Sequence, residues 1–183
     1  MNFLKTTNEI DNWLKNYNIN NYKILTNYQS QFCPYVVDVD EDVDISYQNL
    51  KIIPIKFRII YGYFDCSYNQ LTNLLFSPQI IYGYFYINNN KIQSLKKCPQ
   101  DIKGMFDCSS NLLDKKSIIY LSKNIKDINI SKNNQLEYLY GKTTKEILEE
   151  SNKLKDAKKK KNYCSKLNKT LSQKDLKEKI NKI

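Results

Sequence analysis

A ten-residue motif occurs three times in the chain at a constant spacing of 21 residues. The copies are GYFDCSYNQL at 62–71, GYFYINNNKI at 83–92 and GMFDCSSNLL at 104–113. Gly, Phe and Asn recur at the first, third and eighth positions of every copy. A repeat unit of this length is typical of solenoids, in which each coil buries its apolar side against its neighbours. The period therefore predicts a stack of coils.

Apolar and polar residues alternate within each motif, which predicts a short strand. Over residues 63–67, Phe64 and Cys66 are expected to face inward and the other three residues outward. Asn69 ends the strand, and an inward carboxamide can bond the backbone groups that the turn leaves unpaired. The rest of the repeat, such as 74–81, returns the chain without room for a full helix. Ordinary antiparallel hairpins are the alternative, but they do not need Asn, Pro and Gly in one register.

The motif resembles the leucine-rich repeat, whose L-x-x-L-x-L-x-x-N-x-L signature is matched by Tyr61, Phe64, Cys66, Asn69 and Leu71. The chain is more closely similar to short leucine-rich-repeat proteins of tailed bacteriophages and large DNA viruses. Their coils have the type G-x-F-x-C-S-x-N-x-L-x-x-L. The resemblance covers roughly residues 22–113, although Phe and Cys stand where the commoner signature has Leu. It implies a viral or phage protein and carries no catalytic residues across.

Further coils are expected on both sides of the three motifs. One lies at 43–50, and another at 128–136, where the spacing lengthens to 22 residues. The predicted fold is therefore α+β: a leucine-rich-repeat-like solenoid of about five coils with a parallel sheet, an N-terminal capping helix and a C-terminal helical basic tail. The expected parts are an N-terminal cap at 1–34, the solenoid at 35–141 and a Lys-rich helical segment at 142–183.

The N-terminal cap is predicted from an apolar stripe at helical spacing. Residues 7–17 place Ile10, Trp13, Leu14 and Tyr17 on one face. Thr6 and Glu9 fit a capping box at the start of this helix. The helix is expected to cover the open end of the first coil, and a partner-binding helix is the alternative. Short strands are expected at 22–25 and 35–39.

The C-terminal segment is predicted to contain two helices. The first begins at Thr143 or Thr144 and runs to about Lys159, and the lysines at 158–161 are expected to interrupt it. A second short helix is expected from Ser172. Because the apolar stripe is thin, only the first part is expected to pack as a cap, and the rest to be a mobile basic tail.

Charge is concentrated in this C-terminal segment. The chain has 29 Lys and Arg residues against 19 acidic ones, a net charge of +10. Residues 142–183 contain 14 Lys and 6 acidic residues, which leaves a net charge of only +2 for the other 141 residues. The solenoid body is therefore nearly neutral, and the C-terminal segment carries the basic charge.

Histidine is absent, which removes the usual general base and every Ser-His or Cys-His pair. No phosphate-binding Gly-rich loop is present, and no catalytic residue or cofactor is expected, so the chain is predicted not to be an enzyme. Cys66 and Cys108 are two coils apart, about 10 Å at the usual strand spacing, so they are expected to be buried core residues rather than a disulfide. Without histidine or a C-x-x-C pair, zinc is not expected.

Four aspartates alternate along one stretch, at positions 38, 40, 42 and 44. An EF-hand calcium loop starting at Asp38 would need Gly at its sixth position and an acidic residue at its twelfth. Val43 and Asn49 occupy these positions. A solvated strand face with a turn near Glu41 is the favoured interpretation, and no metal site is expected.

No run of 18 apolar residues exists, and the first residues lack the apolar stretch of a signal peptide. The protein is therefore expected to be intracellular and cytoplasmic, in the host cytoplasm if it is viral, with no membrane partner.

Outward strand positions are predicted to form two adjacent columns, here called the ribbon. The first column is Asp44, Asp65, Tyr86, Asp107 and Asn129, and the second is Asp42, Tyr63, Tyr84, Met105 and Asp127. Aromatic residues and Met beside carboxylates are typical of protein-binding patches, although Asp and Tyr also occur on ordinary solvated strands. Five strands give a ribbon about 24 Å wide. That is too small for an ordinary stable interface without adjacent loops, the basic tail or a second copy of the chain.

Three functions are consistent with these features. The leading hypothesis is a non-catalytic protein-interaction module that binds a basic surface of a partner protein through the ribbon. A narrower version, based on the resemblance to viral proteins, is an inhibitor of a host defence ribonucleoprotein in the manner of anti-CRISPR proteins. The third is RNA or DNA binding by the tail through Lys158, Lys159, Lys160, Lys161, Lys166 and Lys169, for which a merely solvated tail is the alternative. Oligomeric state is not predicted.

Overall fold

The structure is a computed structural model that describes residues 3–26 and 34–180, with side chains described through Asn162 and at Ser165. The chain forms a mixed α+β solenoid of about 4 turns, with a helix at each end and parallel sheets along the stack. The predicted fold class is confirmed. The five predicted coils correspond to five strands of one sheet, and the intervals between these strands make the four turns.

Two sheets of five strands run along the solenoid, where the sequence predicted one. Sheet 1 contains β1 (Tyr22–Thr26), β2 (Tyr35–Val39), β4 (Phe57–Ile60), β6 (Ile80–Ile81) and β8 (Asp101–Ile102). Sheet 2 contains β3 (Val43–Asp44), β5 (Phe64–Asp65), β7 (Phe85–Tyr86), β9 (Met105–Asp107) and β10 (Asp127–Asn129). All pairings are parallel except that of β1 with β2.

The register of both sheets follows the sequence period. In sheet 2, Phe64 pairs with Phe85 and Phe85 with Phe106. In sheet 1, Ile60 pairs with Ile81, so the predicted return segment contains the second strand of each coil. The strands of sheet 2 are shorter than predicted, because the chain turns directly after Asp65 or its equivalent.

Buried phenylalanine rings form the centre of the core. The ring centroids of Phe64 and Phe85 are 5.8 Å apart, and those of Phe85 and Phe106 are 5.2 Å apart, with nearly parallel planes. Phe57 from sheet 1 contacts the same file at 5.3 Å. Each ring is fully buried, which stabilises the fold by roughly 1.5–3 kcal/mol per ring. The predicted single file of rings is confirmed.

A buried asparagine closes each turn and links neighbouring coils. Asn90 Oδ1 accepts from the Leu71 N–H at 2.8 Å, and Asn90 Nδ2 donates to the carbonyls of Cys66 and Ile87 at 3.0 and 3.1 Å. Equivalent bonds are made by Asn69, Asn111 and Asn133. The predicted bonding of turn backbone groups by inward asparagines is confirmed. The four asparagines, here called the asparagine ladder, pair backbone groups that would otherwise be buried without partners.

Helix α1 (Thr7–Asn16) covers the first end of the solenoid. Thr6 and Glu9 form the predicted capping box, and Tyr17 is the C-cap rather than the last helical residue. Trp13 is buried, with its ring centroid 6.5 Å from that of Phe57. Because its apolar face packs on the core, the capping function predicted for this helix is confirmed.

Helix α2 (Thr144–Ile180) is one continuous helix, so the predicted interruption at 158–161 and the separate helix from Ser172 are wrong. Lysine is a good helix former, and like-charge pairs four residues apart cost only a few tenths of a kcal/mol each. The lysine block therefore does not break the helix.

The first turns of α2 close the other end of the solenoid. Thr143 and Glu146 form a capping box, and Ile147 is buried. Ser151 Oγ donates to the Ile118 carbonyl at 2.7 Å, next to a 3-10 helix at Ser117–Tyr120. A second 3-10 helix at Asn134–Leu139 precedes α2. Within the described residues, neither α-helix combines the length and apolarity needed to cross a membrane.

We predict that Asn90→Ala destabilises the protein by about 3 kcal/mol, because each backbone group left buried without a partner costs about 1–3 kcal/mol. Urea unfolding followed by circular dichroism measures the change. Asn88→Ala is the control, because the Asn88 side chain is only partly buried and makes no hydrogen bond within the described residues. Equal stability of the two variants would contradict a structural role for the ladder.

Candidate functional site

The ribbon predicted from the sequence lies on one face of sheet 2. Asp44 pairs with Asp65, Asp65 with Tyr86, and Tyr86 with Asp107. Asn129 continues this column beside Asp107, and Asp127 lies beside Met105 in the second column. The remaining members, Asp42, Tyr63 and Tyr84, lie one residue before β3, β5 and β7, so all ten predicted residues share this face. Their part in binding stays a prediction.

The carboxylates of the first column also have a structural role that sequence reasoning missed. Asp65 Oδ1 accepts a hydrogen bond from the Ser67 N–H at 2.8 Å, and Asp44 and Asp107 bond the N–H two residues later in the same way. Asn129 makes the equivalent bond with its carboxamide oxygen, at 3.2 Å from the Ser131 nitrogen. These Asx turns explain why Asp or Asn recurs at this position.

The aspartates of the ribbon differ in how many of their carboxylate oxygens are hydrogen-bonded. Both oxygens of Asp107 are bonded, because its Oδ2 accepts from Asn129 Nδ2 at 3.2 Å, whereas Asp127 has one bond, from the Thr144 hydroxyl to its Oδ1 at 3.2 Å. Within the described part of the chain, the second carboxylate oxygen has no hydrogen-bond partner in Asp42, Asp44, Asp65 and Asp127. Three of these four aspartates lie at the first two strands of sheet 2, so most of the free carboxylate oxygens are at this end of the ribbon.

Four further tyrosines flank this part of the ribbon. The rings of Tyr47 and Tyr68 stack with centroids 4.3 Å apart, and those of Tyr61 and Tyr82 stack at 5.1 Å. All four are exposed, and Tyr47 retains 69% of its accessible surface. Their 21-residue spacing was visible in the sequence, but the ribbon prediction considered only strand positions.

We define the Tyr/Asp patch as seven tyrosines and two aspartates on the first three coils of sheet 2, of which Tyr63, Asp65 and Tyr86 are half-buried and the others exposed. Its members are Asp44, Tyr47, Tyr61, Tyr63, Asp65, Tyr68, Tyr82, Tyr84 and Tyr86. The backbone positions the members of the patch in two ways. The first is the left-handed backbone conformation of Tyr47 and Tyr68 (φ of 55° and 52°) at the turn after the strand.

Glycines at the other side of the patch allow neighbouring coils to approach closely. A Cβ on Gly83 would lie 2.6 Å from the carbonyl carbon and oxygen of Gly62, closer than real side chains come to a backbone. Tyr61 and Tyr82 directly precede these glycines. The close approach therefore holds the Tyr61 and Tyr82 rings within stacking distance.

Asp65 holds a central position in the patch, because its negative charge acts on both Tyr63 and Tyr86. Burial raises the pKa of Tyr63, and the negative charges of Asp42, Asp44 and Asp65 raise it further. The pKa of Tyr86 is raised by burial, by Tyr84 and then by Asp65 and Asp107. These phenols therefore stay neutral hydrogen-bond donors near neutral pH, within a negative potential.

The alternating aspartates do not form a single site. Asp38 is buried and accepts from Arg58 Nε at 2.8 Å, so it does not belong to the solvated face that the sequence predicted. Asp42 Oδ1 accepts from the Tyr63 N–H at 2.8 Å. Among the residues that the structure describes, no group of three or more acidic or cysteine side chains is placed to hold a metal ion.

The described thiols are buried in the core. Cys66, Cys98 and Cys108 are free cysteines, and burial raises the pKa of each above its usual value. They are therefore protonated and unreactive near neutral pH. Cys33 and the Cys164 side chain lie outside the described residues.

The lysines predicted to bind nucleic acid lie on α2. The side chains of residues 158–161 are exposed, whereas those of Lys166 and Lys169 lie outside the described part. Lys158 Nζ lies 5.9 Å from the centroid of the Tyr120 ring. A groove of about 560 Å³ between α2 and the 3-10 helix at Ser117–Tyr120 is lined by residues that include Tyr120, Leu154, Lys158 and Lys161.

Comparisons with protein-family models, curated proteins and solved structures found no match for this chain. The resemblance to viral leucine-rich-repeat proteins therefore rests on the repeat motif and stays a prediction. The solenoid itself rests on the observed register of its two sheets.

We predict that Asp65→Asn lowers the pKa of both Tyr63 and Tyr86, because it removes a negative charge near both phenols. Asp107→Asn is expected to lower the pKa of Tyr86 only. Asn at either position can keep the Asx turn, as Asn129 does. NMR titration of the tyrosine ring carbons measures the pKa values, and an unchanged Tyr63 in Asp65→Asn would contradict the central position of Asp65.

The raised pKa of Tyr63 also determines how the stability of the folded protein changes with pH. The pKa of Tyr63 is higher in the folded than in the unfolded protein, so its contribution to stability is complete below the unfolded value, near pH 10. That contribution is lost as the pH rises through the folded value. The loss is expected to be smaller in Asp65→Asn than in the wild-type protein.

Proposed function

We propose that this protein is a non-catalytic interaction module that binds a basic surface of a partner protein through the Tyr/Asp patch. The observation that carries this proposal is the pair of aspartates, Asp44 and Asp65, each with one carboxylate oxygen that has no partner among the described residues, beside exposed and half-buried tyrosines. Lysine and arginine side chains fit such a surface, because they can pair with the carboxylates and stack on the tyrosine rings.

The rigidity of the patch supports this function. Tyrosine offers a large contact area with few rotatable bonds, so little conformational entropy is lost on binding. The stacked pairs Tyr47–Tyr68 and Tyr61–Tyr82 restrict these side chains before a partner arrives. A surface that is already ordered spends less of its interaction energy on immobilising side chains.

The size of the patch favours a transient complex. The stretch from Tyr61 to Tyr68 would span about 23 Å if fully extended and spans less here, because the chain turns after Asp65; three coils add about 10–14 Å across it. The resulting few hundred Å² fall below the ~800 Å² per partner of a stable interface. We therefore expect micromolar affinity that falls as the salt concentration rises.

We predict that Asp44→Asn with Asp65→Asn weakens partner binding at least tenfold, and that Tyr84→Ala has a similar effect. Affinity capture from the native host with mass spectrometry identifies the partner, and biolayer interferometry then measures the variants. The matched controls are Glu137→Gln with Glu149→Gln, which remove two exposed charges outside the patch, and Tyr140→Ala. Equal binding by patch and control variants would refute the proposal.

A narrower proposal is that the partner is a host defence ribonucleoprotein in the cytoplasm. Its support is the sequence resemblance to viral proteins, together with the fit between an acidic patch and a basic groove that normally holds nucleic acid. A plasmid- or phage-challenge assay tests it. Unchanged immunity across several defence systems in the presence of the protein would count against it.

A second candidate function is nucleic-acid binding by α2. The supporting observation is that the lysines at 158–161 lie exposed on a continuous helix within a segment of net charge +8. Lysines on such a helix can neutralise phosphates without reading the base sequence.

We predict that changing Lys158, Lys159, Lys160 and Lys161 to Gln weakens oligonucleotide binding and makes it less dependent on salt. Each lost phosphate contact reduces the slope of log K against log salt by about 0.7–0.9. Fluorescence anisotropy at several salt concentrations measures both effects. Lys91, Lys96, Lys97 and Lys103 changed to Gln provide the matched control on the solenoid body, and equal effects of the two sets would argue against a specific function of α2.

A further inference from the structure

We infer that one partner of the Tyr/Asp patch is a second copy of this chain, whose α2 lysines dock on the patch and join molecules head to tail. This inference rests on the proposed function, because it uses the same surface. It goes further by naming the partner and the segment that binds.

The two ends of the chain carry opposite charge. No Lys or Arg occurs between Lys23 and Lys51, although the chain has 29 such residues, and this stretch contains five acidic residues within 38–44. Half of the lysines lie within 142–183. The first coil and α2 are therefore complementary in charge, and opposite potentials speed and orient association.

The α2 helix leads away from the patch of its own molecule. Its first residue, Thr144, bonds Asp127 at the last strand of the ribbon, and Lys155 Nζ donates to the Leu121 carbonyl at 2.8 Å. Leu121 follows the 3-10 helix in the return segment of the fourth coil, away from sheet 2. Each further residue of the helix adds about 1.5 Å in that direction. Lys158 Nζ lies 5.9 Å from the centroid of the Tyr120 ring at this end of the solenoid, so docking of the α2 lysines on a patch requires a second molecule.

The spacing of the two surfaces matches. Asp44 and Asp65 lie on neighbouring strands, about 4.8 Å apart. Lys158 and Lys161 are three residues apart in a helix, which corresponds to a rise of about 4.5 Å. A helix lying along the solenoid axis would therefore present one lysine to each carboxylate.

Contacts between lysine and tyrosine side chains, of the kind that this docking needs, already occur within the chain. Lys158 lies over the Tyr120 ring and Lys115 over the Tyr138 ring, each at 5.9 Å from the centroid. In the proposed contact, the aliphatic stems of the lysines would cover the patch tyrosines in the same way. The exposed rings and the free carboxylate oxygens would then be used together.

The proposed interface is heterologous, because the patch and α2 are different surfaces. Such contacts produce rings or open chains rather than a closed two-fold dimer. An open chain of molecules leaves one patch free at one end and one helix free at the other. Association is therefore expected to continue beyond the dimer as the protein concentration rises.

Sedimentation velocity of the full-length chain tests this inference. The weight-average mass is expected to rise above the 21.7 kDa of one chain as concentration increases at low salt, and to return to that value at about 0.5 M salt, where charges are screened beyond a few ångströms. A protein that stays monomeric at several hundred micromolar in low salt would overturn the inference.

Two variants separate the surfaces. The patch variant carries Asp44→Asn and Asp65→Asn, which can keep the Asx turns, and the helix variant carries Lys158→Gln and Lys161→Gln, which keep good helix formers. Each is expected to be monomeric alone. Their equimolar mixture is expected to form a complex that stops at two chains, because only one intact patch and one intact helix remain to pair.

The controls and outcomes are specific to this arrangement. Glu137→Gln with Glu149→Gln is expected to associate like the wild-type protein. A mixture that stays monomeric, or a single variant that still associates, would overturn the inference. If self-association is absent but a different protein is captured through Asp44 and Asp65, this inference fails and the proposed function stands. If the patch variant changes neither self-association nor the capture of another protein, both this inference and the proposed function fail.

Discussion

The buried asparagine carboxamide is the interaction on which the rest of the structure depends. Asn69, Asn90, Asn111 and Asn133 each accept from a backbone N–H of the preceding coil and donate to carbonyls of two coils. A turn inside an apolar core leaves backbone groups away from water, and unpaired groups there would cost more than the neighbouring phenylalanines contribute. With these groups paired, identical coils can stack and the rings of Phe64, Phe85 and Phe106 fall into one file.

The same register determines the chemistry of the surface. Outward residues of successive coils lie a strand spacing apart, so tyrosines repeated in the sequence become stacked tyrosines in space. The aspartates repeated beside them have a structural role, because Asp44, Asp65 and Asp107 each use one carboxylate oxygen to close an Asx turn. Only the second carboxylate oxygen of such an aspartate can then be available to a ligand. Of these three aspartates, Asp107 has its second oxygen bonded as well, by the Asn129 carboxamide.

Helix α2 closes the solenoid with its first turns and carries exposed lysines beyond them. Ile147 and Ser151 cover the last coil, while the lysines at 158–161 extend from the cap into solvent. The helix is anchored by apolar burial and by hydrogen bonds, including the one from Lys155 Nζ to the Leu121 carbonyl, and within the described residues the lysines at 158–161 make none of these bonds. Together with the acidic first coil, this arrangement gives one molecule two complementary surfaces.

Periodic and local features could be predicted from the sequence, because they depend on spacing and on near neighbours. The inward Phe64 and Asn69, the capping box of Thr6 and Glu9, and the alignment of the ribbon all follow from such rules. The continuity of α2 did not follow from the sequence, because a block of four lysines suggests an interruption, whereas repulsion between like charges in a helix costs only a few tenths of a kcal/mol per pair. Only the tertiary structure decided which carboxylate oxygens are free. Asn129, which bonds the second oxygen of Asp107, and Thr144, which bonds one oxygen of Asp127, are brought there by the register and by the position of a distant helix. The stacking of Tyr47 on Tyr68 likewise depends on backbone angles that residue type does not specify.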